Sequence, residues 1–127
     1  MFKDSRAFSS FAVDDLEAAR PFYGATLGLD LHDSRQSGFL EIHLPGGRGV
    51  LVYPKPDHVP ATFTVLDFGC SDVAAAVDAL TAAGVRMKRH PELEADEKGI
   101  SRSMGPAIAW FRDPAGNILS VVEDDGA

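Results

Sequence analysis

Cysteine is almost absent: Cys70 is the only one in 127 residues. A single thiol excludes an internal disulfide and a cysteine-based metal cluster. Long apolar runs are missing too, and none approaches the ~18 residues that a membrane-spanning helix needs. Cations are few, with 12 Lys and Arg against 19 Asp and Glu, and a formal net charge of −7. No basic stripe interrupts this acidic surface, which argues against nucleic acid and anionic membrane as partners. Such charge mainly serves solubility, and it also suits a cationic ligand. The charged start Met1-Phe2-Lys3-Asp4-Ser5-Arg6 leads into no signal-type apolar stretch, so the expectation is a cytoplasmic protein. No Ser-His-Asp or Cys-His pattern stands out. Gly46-Gly47-Arg48-Gly49 reads as a hairpin turn and not as a phosphate loop.

What is present is a soluble globular composition, 45% apolar and 24% charged, in one domain spanning residues 1–127. The most informative stretch is Trp110 to Glu123. Ile108–Phe111 suits a half-buried strand, Asp113-Pro114-Ala115-Gly116 is turn chemistry, and Ile118–Val122 is a second strand. Upstream, Ala7–Val13 alternates as a strand. Asp14 and Asp15 open a helix over Leu16–Leu27, with Pro21 near its first turns and Gly28 at its end. Strands are expected over 29–34, 38–44 and 49–53. The proline-rich stretch 54–61 reads as a linker. A strand over 62–70, a helix from Asp72 to about Ala83 closed by Gly84, a strand over 85–90 and the hairpin 107–123 follow. Residues 92–106 form a polar loop, either a lid hinged at Gly99 and Gly105 or a passive surface loop. Asp124 to Ala127 reads as a frayed end.

The second half repeats the first. Phe11-Ala12-Val13-Asp14-Asp15 aligns with Phe68-Gly69-Cys70-Ser71-Asp72, Gly28 with Gly84, and Leu44-Pro45-Gly46-Gly47 with Asp113-Pro114-Ala115-Gly116. Each half, 7–53 and 62–123, is a βαβββ module whose single helix covers one sheet face, so the other must be buried by a second unit. The expected fold class is α+β: two modules forming a curved eight-stranded mixed sheet around a cleft, helices outside. The Asp-Pro-x-Gly-Asn hairpin and the segment Phe11 to Leu29 resemble the vicinal oxygen chelate superfamily, which includes glyoxalase I, ring-cleaving dioxygenases and bleomycin-resistance proteins.

That resemblance implies a metal site drawing one ligand from the first and one from the last strand of each half. Counting back seven residues from Asp15 and Asp72 designates Phe8 and Val65, and the last strands designate Val52 and Ser120. Divalent metals need three or four oxygen or nitrogen donors, and these residues offer one weak hydroxyl. No metal and no cofactor is expected there.

Strand alternation places Phe8, Ser10 and Ala12, then Val65, Asp67 and Gly69, on the cleft face. Glu41 and His43 join them, since Leu40, Ile42 and Leu44 form the apolar set facing the helix. Ile108, Trp110 and Arg112 follow by the same offset, over a floor of Val50, Val52, Ile118, Ser120 and Val122. The ligand-binding set is therefore Phe8, Ser10, Val52, Val65, Asp67, Trp110 and Ser120. Trp110 is either a wall that stacks on a planar ligand or a core residue. His32, His58 and His90 are assigned no chemistry.

Three functions fit. The first is a metal-independent binding protein that, as the resemblance implies, works as a homodimer and holds an aromatic or cationic metabolite or drug. The second is a metal-independent isomerase, lyase or cyclase using His43 with Glu41 or Asp67 as acid and base. The third is a metalloenzyme with relocated ligands, for example Glu41, His43 and Asp67.

Overall fold

The computed structural model describes residues 1–35, 37–46 and 49–124. Gly47 and Arg48 of the first-half turn, and the terminal residues 125–127, lie outside them. The chain divides into two compact units, Met1–His58 and Val59–Ala127.

In the first unit β1 (Ser9–Val13) leads into α1 (Leu16–Pro21). The cap is Asp15 rather than Asp14: its carboxylate accepts the N–H groups of Glu17 and Ala18 at 3.0 and 3.3 Å. Such a cap is worth about 1 kcal/mol. The helix does not continue as one α-helix to Leu27. Pro21 has no N–H to give the preceding turn, and the chain proceeds as a π-helical turn over Phe22–Thr26. Leu27 N–H closes it on the Phe22 carbonyl at 2.9 Å, and Gly28 ends it at φ +73°. Tyr23 is fully buried there, edge-on to Phe22 and tilted against Phe11.

Strands β2 (Asp30–Asp33), β3 (Leu40–His43) and β4 (Gly49–Pro54) complete the unit. The sheet order is β1-β4-β3-β2, parallel only between β1 and β4. The register pairs Phe11 with Val52, Leu40 with Val52 and Ile42 with Val50. These apolar residues are buried on one face, and α1 packs on β4. Arg20 of α1 ties to Asp33 of β2 at 2.7 Å.

The second unit repeats this plan with β5 (Thr64–Cys70), α2 (Val73–Ala82), β6 (Met87–Lys88), β7 (Ile108–Arg112) and β8 (Ile118–Glu123), ordered β5-β8-β7-β6. Asp72 caps α2 by accepting Ala75 N–H at 3.0 Å, and Gly84 follows the helix at φ +82°. Both helix-ending glycines sit where a side chain would be strained. The expected strand over 85–90 is only two residues long. Val73, Val77 and Leu80 of α2 are buried, and α2 packs on β7 and β8.

The loop over 92–106 is braced by backbone and side-chain bonds. Ser101 pairs with Ile108 through two backbone bonds of 2.8 and 3.0 Å, and Ile100 is buried. Asp96 accepts from Ile100 N–H and Lys98 N–H, both at 2.9 Å, and from the Arg102 guanidinium at 3.1 Å. Arg89 holds the Asp96 and Glu97 carbonyls from outside. The Ile100 amide, aided by Arg102 and the Lys98 amide, holds the Asp96 carboxyl below the usual carboxylate range. A depressed carboxylate stabilises the fold above its unfolded pKa, and that contribution fades as pH falls through the lower folded value. Amide exchange at Lys98 and Ile100 should therefore accelerate selectively as pH drops below about 4, after correction for intrinsic rates. Equal protection in Asp96→Asn, which keeps an acceptor without charge, would refute the electrostatic part of this.

Candidate functional site

The sheet of the first unit has a second face, opposite the buried one. Pairing assigns its members: Ser10 lies beside Leu51, Ala12 beside Tyr53, Glu41 beside Leu51 and His32, and His43 beside Gly49 and Asp30. Here the structure corrects the sequence reading. Val50 and Val52 belong to the buried, helix-covered face; Val52 is 0% exposed, and Leu51 and Tyr53 take the open one. Every residue from Val50 to Tyr53 is apolar or aromatic, so either parity satisfies alternation by itself. Glu41 and His43 lie on the open face as the apolar set Leu40 and Ile42 requires.

This face carries a cavity of about 450 Å³. Leu51 forms its floor, Phe8, Phe39 and Tyr53 give it aromatic walls, and Glu41, Arg6, Ser34 and Ser37 add polar groups. Phe8 is 68% exposed, an unusual position for a phenylalanine unless something covers it. Ser10 is exposed and lies on the same face beside Leu51 but does not line the cavity. Sequence reasoning missed Arg6, Phe39, Leu51 and Tyr53. Phe39 was recoverable, since it shares the parity of Glu41.

At the outer edge of that face His43 and Glu41 are hydrogen-bonded: Nε2 and Oε1 lie 3.0 Å apart. His32 Nε2 meets Asp30 Oδ1 at the same distance. The two imidazoles stack, with centroids 3.9 Å apart and planes 20° from parallel. His32, left without a role by its sequence, thus adjoins the two residues singled out on β3.

In the second unit, Asp67, Ser120 and Trp110 share one face through the pairs Asp67–Ser120 and Trp110–Ser120. The Ser120 hydroxyl donates to the Asp67 carboxylate. Ser120 is fully buried, and Trp110 is buried edge-on against His90 at 4.4 Å. Neither Trp110 nor Asp67 lines the cavity of the first unit. Val65 sits in a register break: Thr64 pairs with Ile118 and Leu66 with Leu119, two steps against one. The bulge reverses the parity before Leu66, so Thr64, not Val65, takes the face of Asp67.

The repeat also holds at the edges of the two sheets, with inverted chemistry. Asp30–His43 and His32–Glu41 are opposed pairs in the first unit. The Arg86 carbonyl accepts the Arg112 N–H at 2.9 Å, and Lys88 opposes Trp110, at the corresponding places of the second.

The family follows from most of the sequence. Residues 7–121 match the Glyoxalase/Bleomycin resistance protein/Dioxygenase superfamily. The chain belongs to that superfamily. No curated protein matches the sequence. Among solved structures, the chain resembles a superfamily member from Sphaerobacter thermophilus, with 26% identity, TM-score 0.68, and coverage of 93% of this chain and 97% of that one. A hypothetical protein from S. aureus is 18% identical, with TM-score 0.68 and 96% and 99% coverage. A glyoxalase/dioxygenase from Nostoc punctiforme is 20% identical, with TM-score 0.66 and 94% and 91% coverage. The last two likenesses speak for the fold alone. No helix among the described residues is long and apolar enough to cross a membrane.

The superfamily resemblance designates four metal-ligand positions, and register now refines two of them. The β1–β4 pair Ser10–Leu51 corresponds to the β5–β8 pair Asp67–Ser120, so Leu51 replaces Val52. Thr64 replaces Val65. Phe8, Leu51, Thr64 and Ser120 offer two hydroxyls at most, and that of Ser120 is already given to Asp67. This donor chemistry does not fit a divalent ion.

Proposed function

We propose that this superfamily member binds a planar, cationic or aromatic small molecule on the open face of its first sheet, without a metal at the superfamily's usual positions. The carrying observation is the cavity in which Phe8, Phe39 and Tyr53 surround an apolar floor at Leu51, with Glu41 at its side. Flat rings bury well against such walls, and a carboxylate beside them favours positive charge. The net charge of −7 assists the approach of a cation.

Proflavine, a planar cation, serves as the probe. We expect saturable binding by calorimetry and a raised melting temperature. Glu41→Gln should weaken binding about tenfold, the value of one charge-assisted contact of about 1.4 kcal/mol. Leu51→Arg should abolish it by filling the floor. Absence of binding, or equal affinity in Leu51→Arg, overturns the proposal. Trp110 quenching is a poor readout, because that side chain is buried in the other unit.

The 3.0 Å contact between His43 and Glu41 supports a second reading, proton transfer by a His–carboxylate pair in an isomerase, lyase or cyclase. Asp67 is engaged by Ser120 and is the weaker partner. His43→Ala would then lose turnover of a bound substrate while its affinity stays within a few-fold.

A further inference from the structure

We infer that the edge hairpin of the first sheet is a binding site for one divalent transition-metal ion, held by His32, His43 and Asp30 with Glu41 at its border. The site adjoins the ligand cavity only through Glu41 and uses none of the four superfamily positions.

In an antiparallel pair, opposed residues share a face. Asp30 opposes His43 and His32 opposes Glu41, so carboxylates and imidazoles alternate like the squares of a board. Each imidazole has a carboxylate neighbour along its own strand and another across the ladder. The side chains converge: a donor atom from each of Asp30, His32 and His43 lies within 4.8 Å of the others. The contacts within each strand are already 3.0 Å. A tetrahedral ion with bonds of 2.0–2.1 Å sets its donors about 3.3 Å apart. The remaining gap, at most about 1.5 Å, falls among exposed side chains that are free to rotate.

The donor types define the ion. Two imidazole nitrogens with one carboxylate suit zinc, copper, nickel or cobalt and disfavour calcium or magnesium, which prefer oxygen alone. Two carboxylate side chains, Asp30 and Glu41, flank the two imidazoles, which favours a divalent cation over an anion. The neighbouring hollow of about 510 Å³ is lined by both histidines, Glu41 and Arg35, so the ion keeps open positions facing solvent. Asp33 borders the same hollow but is committed to Arg20.

The test is calorimetric titration of untagged, chelator-treated protein with zinc and, separately, cobalt. One equivalent should bind with a Kd in the micromolar range, and cobalt should develop the visible absorption of a nitrogen-ligated site. His32→Ala and His43→Ala should each weaken binding at least tenfold, and the double variant should abolish it. His58→Ala and His90→Ala should leave it unchanged. Affinity should fall as pH falls, because a protonated imidazole cannot ligate. His32→Ala is decisive: it removes a metal ligand that does not line the proflavine cavity, so it should lose zinc and keep proflavine. No zinc binding tighter than millimolar, or equal binding by His32→Ala, overturns the inference. The four polar residues would then serve only to protect an exposed sheet edge.

Discussion

Replacing Phe111 with alanine should lower the free energy of unfolding by about 3–5 kcal/mol. Phe111 is 1% exposed on β7. It opposes Met87 on one side and Leu119 on the other, and it lies nearly parallel to Phe68 at 6.5 Å. Truncation removes the transfer energy of a whole ring and leaves a void bounded by strand backbone, which cannot collapse into it. Domains of this size are stable by about 5–15 kcal/mol in total, so the variant should populate unfolded chains at moderate denaturant. Urea unfolding followed by circular dichroism checks this: the midpoint should fall with its slope unchanged. A loss below about 1 kcal/mol would mean that the ring is not core. Phe111→Leu should recover more than half of the deficit, since it refills most of the volume.

Asp113→Ala should cost about 2–4 kcal/mol through a different mechanism, the orphaning of buried donors. Asp113 is 1% exposed and Asn117 2%. One carboxylate oxygen accepts the Asn117 backbone N–H at 2.8 Å and the other accepts its side-chain amide at 3.0 Å. The backbone adds a further pair, Asp113 N–H to the Asn117 carbonyl and Gly116 N–H to the Asp113 carbonyl, both at 3.0 Å. Arg112 braces the turn by donating to the Gly116 carbonyl at 2.8 Å. Alanine strands two donors away from water, each at about 1–3 kcal/mol, partly offset where the turn relaxes. At about 3–5 °C per kcal/mol for a chain of this length, the melting temperature should drop by roughly 10 °C. The cycle with Asn117→Ala should show strong coupling, because either substitution breaks the same pair. Additive losses would assign the cost to backbone conformation instead.

That turn is also why the fold was legible. Asp113-Pro114-Ala115-Gly116-Asn117 is a local device whose residues explain one another, and caps at Asp15 and Asp72 with Gly28 and Gly84 mark both helices without any long-range information. The face of β3 was readable because Leu40 and Ile42 contrast with Glu41 and His43. The site was less legible for three physical reasons. Strand β4 has no polar residue to fix its parity, so Val52 was placed on the wrong side. The bulge at Val65 is a property of two strands together and leaves no mark on one. His32 acquires meaning only from the register that sets it beside Glu41 and stacks it on His43, and register depends on pairing across the connecting loop. Pro21 signalled trouble within a helix, but not that the chain would widen into a π turn.

The sheet-edge pairs carry a consequence for stoichiometry. A duplicated chain ordinarily offers its ligand two equivalent seats. Here the ladder positions of Asp30, His32, Glu41 and His43 recur in the second unit as Arg86, Lys88, Trp110 and Arg112. One copy gathers carboxylates and imidazoles, and the other gathers guanidinium, ammonium and indole. The backbone repeat survived while its chemistry was driven to opposite poles, so among the described residues the proposed metal site has no counterpart in the second unit and a zinc titration is expected to fill one such seat per chain.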